Sequence, residues 1–286
     1  MGTELSMERE GAARIADILI CPDCGEKLRL APGELTCLSC SAAYPIRGGV
    51  LHMARYVTLP GAAVADDPRT SEKYQRQYSD ERPAAEYNAA YKERLTKRLS
   101  TQREYRLLGE LLASQPRSQR LLDLPCGGGR LSPALAPYTE LLIEADIGAG
   151  QVQHAKQQSQ LEIPQVWMTA SGFRIPLRDG SVDGTVCCRL SHHLPQPAER
   201  ERLVSELLRV SKRFVIMTYF DHHSLKNLGR RLRAPFNHKP PKCTMTRKRV
   251  EELAAQGGAR LVACPWLSRV GSGHRYALLV KPSSPA

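Results

Sequence analysis

The residues best placed to do chemistry begin with Leu121-Leu-Asp-Leu-Pro-Cys-Gly-Gly-Gly-Arg130, an apolar run that reaches Asp123 and opens into Gly127, Gly128 and Gly129. This pattern reads as a buried strand breaking into a tight turn at a helix start. Glycines there let backbone approach a ligand and take positive φ where the turn requires it. Asp146, seventeen residues past Gly129, closes a second apolar run, Leu141-Leu-Ile-Glu-Ala-Asp146. A glycine turn after one strand and a carboxylate at the tip of the next suit an adenosine ribose. Farther on, His192-His193 and Tyr219 with Asp221 supply groups able to move a proton.

Cys21-Pro-Asp-Cys24-Gly and Cys37-Leu-Ser-Cys40 form a second constellation, two C-x2-C pairs separated by twelve residues. Four thiolates at this spacing suit a closed, tetrahedral zinc site with no vacant position for water, so the metal would hold structure and do no chemistry. A segment of about 40 residues buries too little apolar surface to stand alone, and a metal compensates for that. Ala43 to Leu51 continues as strand, glycine turn and strand.

These groups need elements to position them. From about residue 101 the chain alternates strand and helix signals, which predicts an α/β fold built on a doubly wound sheet. Strands are expected near 120–125, 140–146, 165–169, 182–190, 213–220, 259–264 and 275–280. Helices are expected near 129–137, 149–159, 198–210 and 246–256. Before them, residues 92–112 read as an amphipathic helix with Leu95, Leu99, Leu107, Leu108, Leu111 and Leu112 as buried positions. Pro60 to Pro68 reads as a linker, followed by Tyr74/Tyr78 and Tyr87/Tyr91, each spaced i,i+4 on one helix face. The expected organisation is a zinc ribbon at 15–58, a linker at 59–70, a helical lead-in at 71–100 and a large domain at 101–286.

Charge is distributed unevenly. The net charge is +12, and between Leu207 and Arg249 twelve Lys/Arg stand against one acid, Asp221. Such a stretch points to an anionic partner: phosphate, nucleic acid or an acidic lipid head group. No run of 18 apolar residues occurs, which excludes a spanning helix. The N-terminal residues carry acids and no hydrophobic core of a signal sequence. A cytoplasmic, reducing location is expected, with the nine cysteines as metal ligands and packed thiols.

The CPxC…CxxC…YPIxxGV order from Leu19 to about Leu51 resembles the zinc-ribbon activator subunit of tRNA and protein methyltransferases. Residues from about 100 to 286 resemble class I S-adenosylmethionine-dependent methyltransferases of the type 11 kind. The glycine turn matches motif I, and Ala145-Asp-Ile-Gly148 matches the segment whose acid holds the ribose. Ile175 to Asp183 matches the LPFxDxSFD motif, Ser191-His-His-Leu194 the segment after strand four, and Leu207-Leu-Arg-Val210 the helix before strand five.

The resemblance implies a seven-stranded Rossmann-like methyltransferase sheet behind a small zinc ribbon. It also implies S-adenosylmethionine as methyl donor, with Asp123, Gly127, Gly129, Asp146, Ser171 and Gly172 toward the cofactor. His192, His193, Tyr219 and Asp221 are the candidate bases. Three departures stand out: Pro125 in the first motif-I glycine position, Ser171 in place of an acid that contacts the adenine amino group, and Ser211-Lys-Arg-Phe214 in place of a Pro-Gly-Gly turn.

Lys226, Arg230, Arg231 and Arg233, in the insertion after strand five, are the candidate acceptor-binding residues, with Lys239 and Lys242 beyond them. That insertion holds one aromatic, Phe236, where single-stranded RNA binders offer several stacking platforms. The favoured expectation is methyl transfer to an anionic small-molecule, lipid- or sugar-linked acceptor. The alternatives are an RNA base methyltransferase acting on ribosomal or transfer RNA, and a non-catalytic relative that binds partners.

Overall fold

The computed structural model describes residues 10–54, 95–233, 243–269 and 271–282. The linker, both tyrosine pairs and Phe236, Lys239 and Lys242 lie outside the described residues.

Among the described residues one sheet of eleven strands runs through the molecule. Its first four strands come from the cysteine-rich region: β1 Leu28–Ala31, β2 Glu34–Cys37, β3 Ala43–Arg47 and β4 Val50–His52. The other seven are β5 Ser118–Asp123, β6 Thr139–Asp146, β7 Gln165–Thr169, β8 Val182–Cys187, β9 Ser211–Phe220, β10 Arg260–Ala263 and β11 His274–Val280. Their spatial order is β7-β6-β5-β8-β9-β11-β10, with β5 to β9 parallel and β11 antiparallel to both β9 and β10. The order reverses direction between β5 and β8, and such a switch point opens a crevice at the carboxyl ends of the strands.

The helices are α1 Leu95–Ala113, α2 Ser132–Leu135, α3 Ala149–Gln158, α4 Pro197–Val210, α5 Leu225–Arg233 and α6 Arg247–Gln256. Leu108, Leu111 and Leu112 of α1 and Leu135 of α2 pack with Leu121, Leu142, Ile216 and Tyr276 on one face of the sheet. Leu203, Leu207 and Val210 of α4 and Val250 and Leu253 of α6 cover the other. Burying each of these leucines contributes about 1.5–3 kcal/mol. Leu99, expected inside, is 51 % exposed because α1 begins before it reaches the sheet face. Leu107 is only partly buried.

Local chemistry explains the helix ends. Pro197 sits in the first turn of α4, where its missing N–H costs nothing, and Glu199 Oε2 accepts the Gln196 N–H at 3.0 Å. Thr246 caps α6 by accepting the Arg249 N–H at 3.1 Å. At Ser211-Lys-Arg-Phe214 there is no loop: α4 ends at Val210 and β9 starts at Ser211, whose hydroxyl donates to Leu207 O at 2.7 Å.

The ribbon joins the sheet rather than hanging from it. β4 lies parallel to β7, pairing Val50 with Trp167, Leu51 with Met168 and His52 with Thr169. Ile20 N donates to Pro176 O at 3.1 Å and Arg178 N to Ile18 O at 2.9 Å. Tyr44, Ile46, Leu51 and Met53 belong to the same apolar cluster as Met168, Ala170 and Leu177. The pairing covers the edge of β7, whose N–H and C=O groups would otherwise be unpaired.

Candidate functional site

A cavity of about 420 Å³ opens at the carboxyl ends of the central strands. Its walls are the turn Leu124–Gly128, Asp146 with Ile147, the segment Ala170–Phe173, and residues 188–190 and 192–195 after β8, with Gln151 of α3 and Glu199 of α4. The Leu124–Pro125 peptide is cis. Gly127 has φ +54 and a Cβ there would meet nothing within 4 Å, so the cavity side stays open for a ligand. Gly129 has φ +74, and a Cβ there would come within 3.2 Å of the Ala155 Cβ. Gly129 therefore lets α3 pack close and does not line the cavity.

Asp146 is fully buried at the tip of β6. Its Oδ2 accepts the Gly127 N–H at 3.0 Å and its Oδ1 the Gly148 N–H at 2.8 Å. Burial pushes its carboxyl up to about 6, with those N–H groups opposing the shift. Each oxygen keeps a lone pair after these bonds, so the carboxylate can still accept from a vicinal diol. Ser171 and Gly172 line the same wall, and the Ser171 hydroxyl accepts the Phe173 N–H at 3.2 Å. Asp123 lies behind the turn, away from the lining residues. It is fully buried, neither oxygen has a hydrogen-bond partner among the described residues, and it sits opposite Glu144 across β5 and β6. Burial, then the Glu144 charge, holds its carboxyl well above the usual range, and burial lifts Glu144 to about 7.

Of the four candidate bases, His192 and His193 line the cavity, while Tyr219 and Asp221 do not. His193 is exposed at the mouth. His192 stacks on Phe220 with ring centroids 4.2 Å apart and meets His274 edge-on at 5.0 Å. Tyr219 is fully buried with its hydroxyl 3.3 Å from the Cys264 sulfur. Asp221, 1 % exposed, pairs with Arg275 at 2.8 Å and accepts the His223 N–H. Both are built into the packing around β9 and β11. Cys187 is fully enclosed in β8, and Cys188, also buried, contributes to the cavity wall.

A cluster of three residues was not singled out from the sequence. Glu104, 1 % exposed on α1, accepts from Arg189 Nε and Nη2 at 2.9 and 2.6 Å and from Arg130 Nη1. Both arginines line the cavity. Arg189 holds φ +65, a left-handed conformation rare outside glycine, and its N–H donates to Thr218 Oγ1 at 2.7 Å. No local sequence signal links residues 104, 130 and 189. His274 also carries no sequence signal of its place here; burial, then Arg189, lowers its imidazole to about 3, so it is neutral.

The basic insertion forms helix α5 beside the mouth. Lys226 Nζ donates to Gly271 O at 2.8 Å, Arg231 to His222 O, and Arg230 to Asn227 Oδ1 at 2.8 Å. The Arg230 guanidinium lies 5.0 Å above the Phe220 ring, which in turn stacks on His192. Arg233 is exposed at the helix end.

In the ribbon, Cys21, Cys24, Cys37 and Cys40 place their sulfurs within 4.8 Å of one another, an arrangement that can hold a metal ion. The Asp23 N–H points at the Cys21 sulfur at 3.4 Å, and the Ser39 and Cys40 N–H groups at the Cys37 sulfur at 3.4 and 3.5 Å. A tetrahedral zinc with Zn–S of about 2.3 Å needs sulfurs about 3.8 Å apart. The 3.7 Å separation of Cys21 and Cys40 meets that, and the 3.4 Å of Cys24 and Cys37 comes near it.

Comparison with known proteins agrees with this geometry. Residues 122–216 match the methyltransferase domain family and residues 13–49 the Trm112p-like protein family. The magnesium protoporphyrin IX methyltransferase from Synechocystis PCC 6803, solved with S-adenosylhomocysteine, is 16 % identical with a TM-score of 0.62, over 74 % of this chain and all of that one. The N-methyltransferase NodS from Bradyrhizobium japonicum WM9, also with S-adenosylhomocysteine, is 12 % identical with a TM-score of 0.56, over 75 % of this chain and all of that one. No curated protein matches the chain. Residues 122–216 thus match a methyltransferase domain behind an N-terminal segment that matches the Trm112p-like family, and the sheet shares its fold with both solved structures.

Proposed function

We propose that this methyltransferase passes the methyl group of S-adenosylmethionine to an anionic small-molecule, lipid- or sugar-linked acceptor that enters beside α5. One observation carries the reading. The basic helix stands against the wall of the cofactor cavity, through the contact series Arg230, Phe220 and His192. The four cations of that helix suit a phosphate or carboxylate on the acceptor.

The roles of the residues follow from charge and position. S-adenosylmethionine supplies an activated methyl group on a sulfonium sulfur. Asp146 accepts hydrogen bonds from the ribose hydroxyls, and Gly127 leaves room for the cofactor above the turn. The Ser171 hydroxyl and Gly172 face the adenine side, with Ile147 against the base. Arg130 and Arg189 set positive charge in the cavity wall, suited to the amino-acid carboxylate, and Glu104 fixes both side chains. Asp123, neutral when protonated, supports the turn from beneath. His193 is the group best exposed to take a proton from the acceptor, while His192 is held by Phe220 and His274. Orientation of the acceptor supplies much of the rate, because methyl transfer asks little covalent chemistry of the protein.

Cys21, Cys24, Cys37 and Cys40 are proposed to hold one structural zinc, which keeps the β3–β4 hairpin fit to pair with β7.

The test is transfer of tritiated methyl from S-adenosylmethionine by the full-length chain in a cell extract, followed by partition. Label in the phosphate- or carboxylate-bearing lipid or water-soluble fraction, reduced when Arg230 and Arg231 become Ala, supports the reading. Label that ribonuclease releases from one ribosomal or transfer RNA assigns the chain to RNA instead. Absence of label in every fraction contradicts both.

A further inference from the structure

Helix α5 is built inside out. At 100° per residue, Leu225, Leu228 and Leu232 fall within an arc of about 60°. They are 62, 42 and 69 % exposed. The opposite side carries Asn227, which is 2 % exposed and donates from Nδ2 to Asp221 O at 2.8 Å. Gly273 makes this anchorage possible, since a Cβ there would come within 2.6 Å of the Asn227 side chain. A surface helix normally buries its apolar stripe and shows its polar face to water. Here a polar side chain is the anchor and the leucines face outward.

The charges complete the pattern. Arg233 lies on one flank of the leucine stripe and Arg231 on the other, Lys226 stands farther round where it donates to Gly271 O, and Leu225–Arg233 contains no acid. Asp221, the acid nearest in sequence, is buried and neutralised by Arg275. Leucines in the middle with cations along both edges match an anionic bilayer. The leucines enter the acyl boundary while the long basic side chains reach the head groups. RNA would use the cations and leave the leucines in water.

We infer that α5 is an interfacial anchor that seats the molecule on an anionic membrane, while its Arg230 side keeps contact with the wall of the methyl-transfer cavity through Phe220. No helix among the described residues is long and apolar enough to cross a membrane. The inference rests on the reading of an anionic acceptor and narrows it to a lipid-borne one that need not leave the bilayer.

The test uses the full-length chain and the variant Leu225→Gln/Leu228→Gln/Leu232→Gln, which keeps every charge and the helix propensity. Both are sedimented with vesicles of phosphatidylcholine alone and with about one quarter phosphatidylglycerol added. The expected result is that wild type binds the anionic vesicles only and the variant binds at least about tenfold more weakly. Calorimetric affinity for S-adenosylmethionine should be equal in the two proteins. Wild type that stays in the supernatant overturns the inference. So does a variant that sediments as well as wild type, which would show that charge alone attracts it. So does a leucine-dependent dimer formed in place of vesicle binding. Because sedimentation needs no turnover, vesicle binding can fail while lipid-phase methylation succeeds, or the reverse, and the two readings fall separately.

Discussion

Leu51 of the ribbon pairs with Met168 of the methyltransferase sheet, in register and parallel, although 117 positions separate them in the chain. Both are fully buried in one apolar cluster that extends from Ala12 to Leu279. The cysteine-rich region and the larger sheet thus share a core, which includes Cys21 and Cys37 of the four-cysteine cluster.

Loss of zinc should therefore unfold more than the ribbon. Cys37→Ser/Cys40→Ser, or chelation of the wild type, is expected to lower the melting temperature of the whole chain by about 10 °C or more, in a single transition. Metal analysis should return one zinc per wild-type chain and none in the variant. A separate low transition, with the main one unmoved, would show that the ribbon folds on its own.

Buried carboxylates set the pH response. Glu144 rises from an ordinary unfolded value to about 7 in the folded chain, so the native state holds its proton more tightly. Its share of stability is present in full below the unfolded value and is lost as pH rises through about 7. Glu144→Gln removes that loss and should stabilise the chain at pH 8 by on the order of 2 kcal/mol, read as a higher melting temperature. The Gln side chain can still accept from Gln165 Nε2, as Glu144 Oε1 does at 3.4 Å. A variant less stable than wild type at pH 8 would show that Glu144 is needed as an anion.

Proton transfer should separate the candidates cleanly. If His193 is the base, His193→Ala lowers kcat by about 10²- to 10⁴-fold. Tyr219→Phe should leave kcat/KM within about twofold, since its hydroxyl meets the Cys264 sulfur and does not line the cavity. Equal, small effects from both would mean that the acceptor needs no base.

Glu104 holds two arginines in place from a buried position. Glu104→Ala leaves both guanidinium groups without that partner and should cost about 3–5 kcal/mol in urea unfolding. A loss below about 1 kcal/mol would show that solvent serves the arginines as well.

Much of this was legible before the structure because the periodic signals are local. Alternating apolar runs located β5 to β11, and residues 165–169 coincide with β7. The four cysteines announced their own cluster by spacing. What stayed hidden depends on contacts between distant segments. The β4–β7 pairing has no signature in either strand, and the Glu104, Arg130 and Arg189 cluster spans 85 residues. Tyr219 and Asp221 stood near a strand tip in sequence, but β11 and the Arg275 pair enclose them. Helix α5 did carry a signal, the i, i+3, i+7 leucines, which basic residues and turn formers around it obscured.

The central claim is that the Gly127–Asp146 corner holds the adenosine of S-adenosylmethionine, and titration calorimetry tests it most directly. Wild type should bind at pH 8, Asp146→Ala should bind about 100-fold more weakly or not at all, and wild-type affinity should decline below about pH 6 as Asp146 takes up its proton. Undiminished binding by Asp146→Ala, or none by the wild type, would contradict the claim.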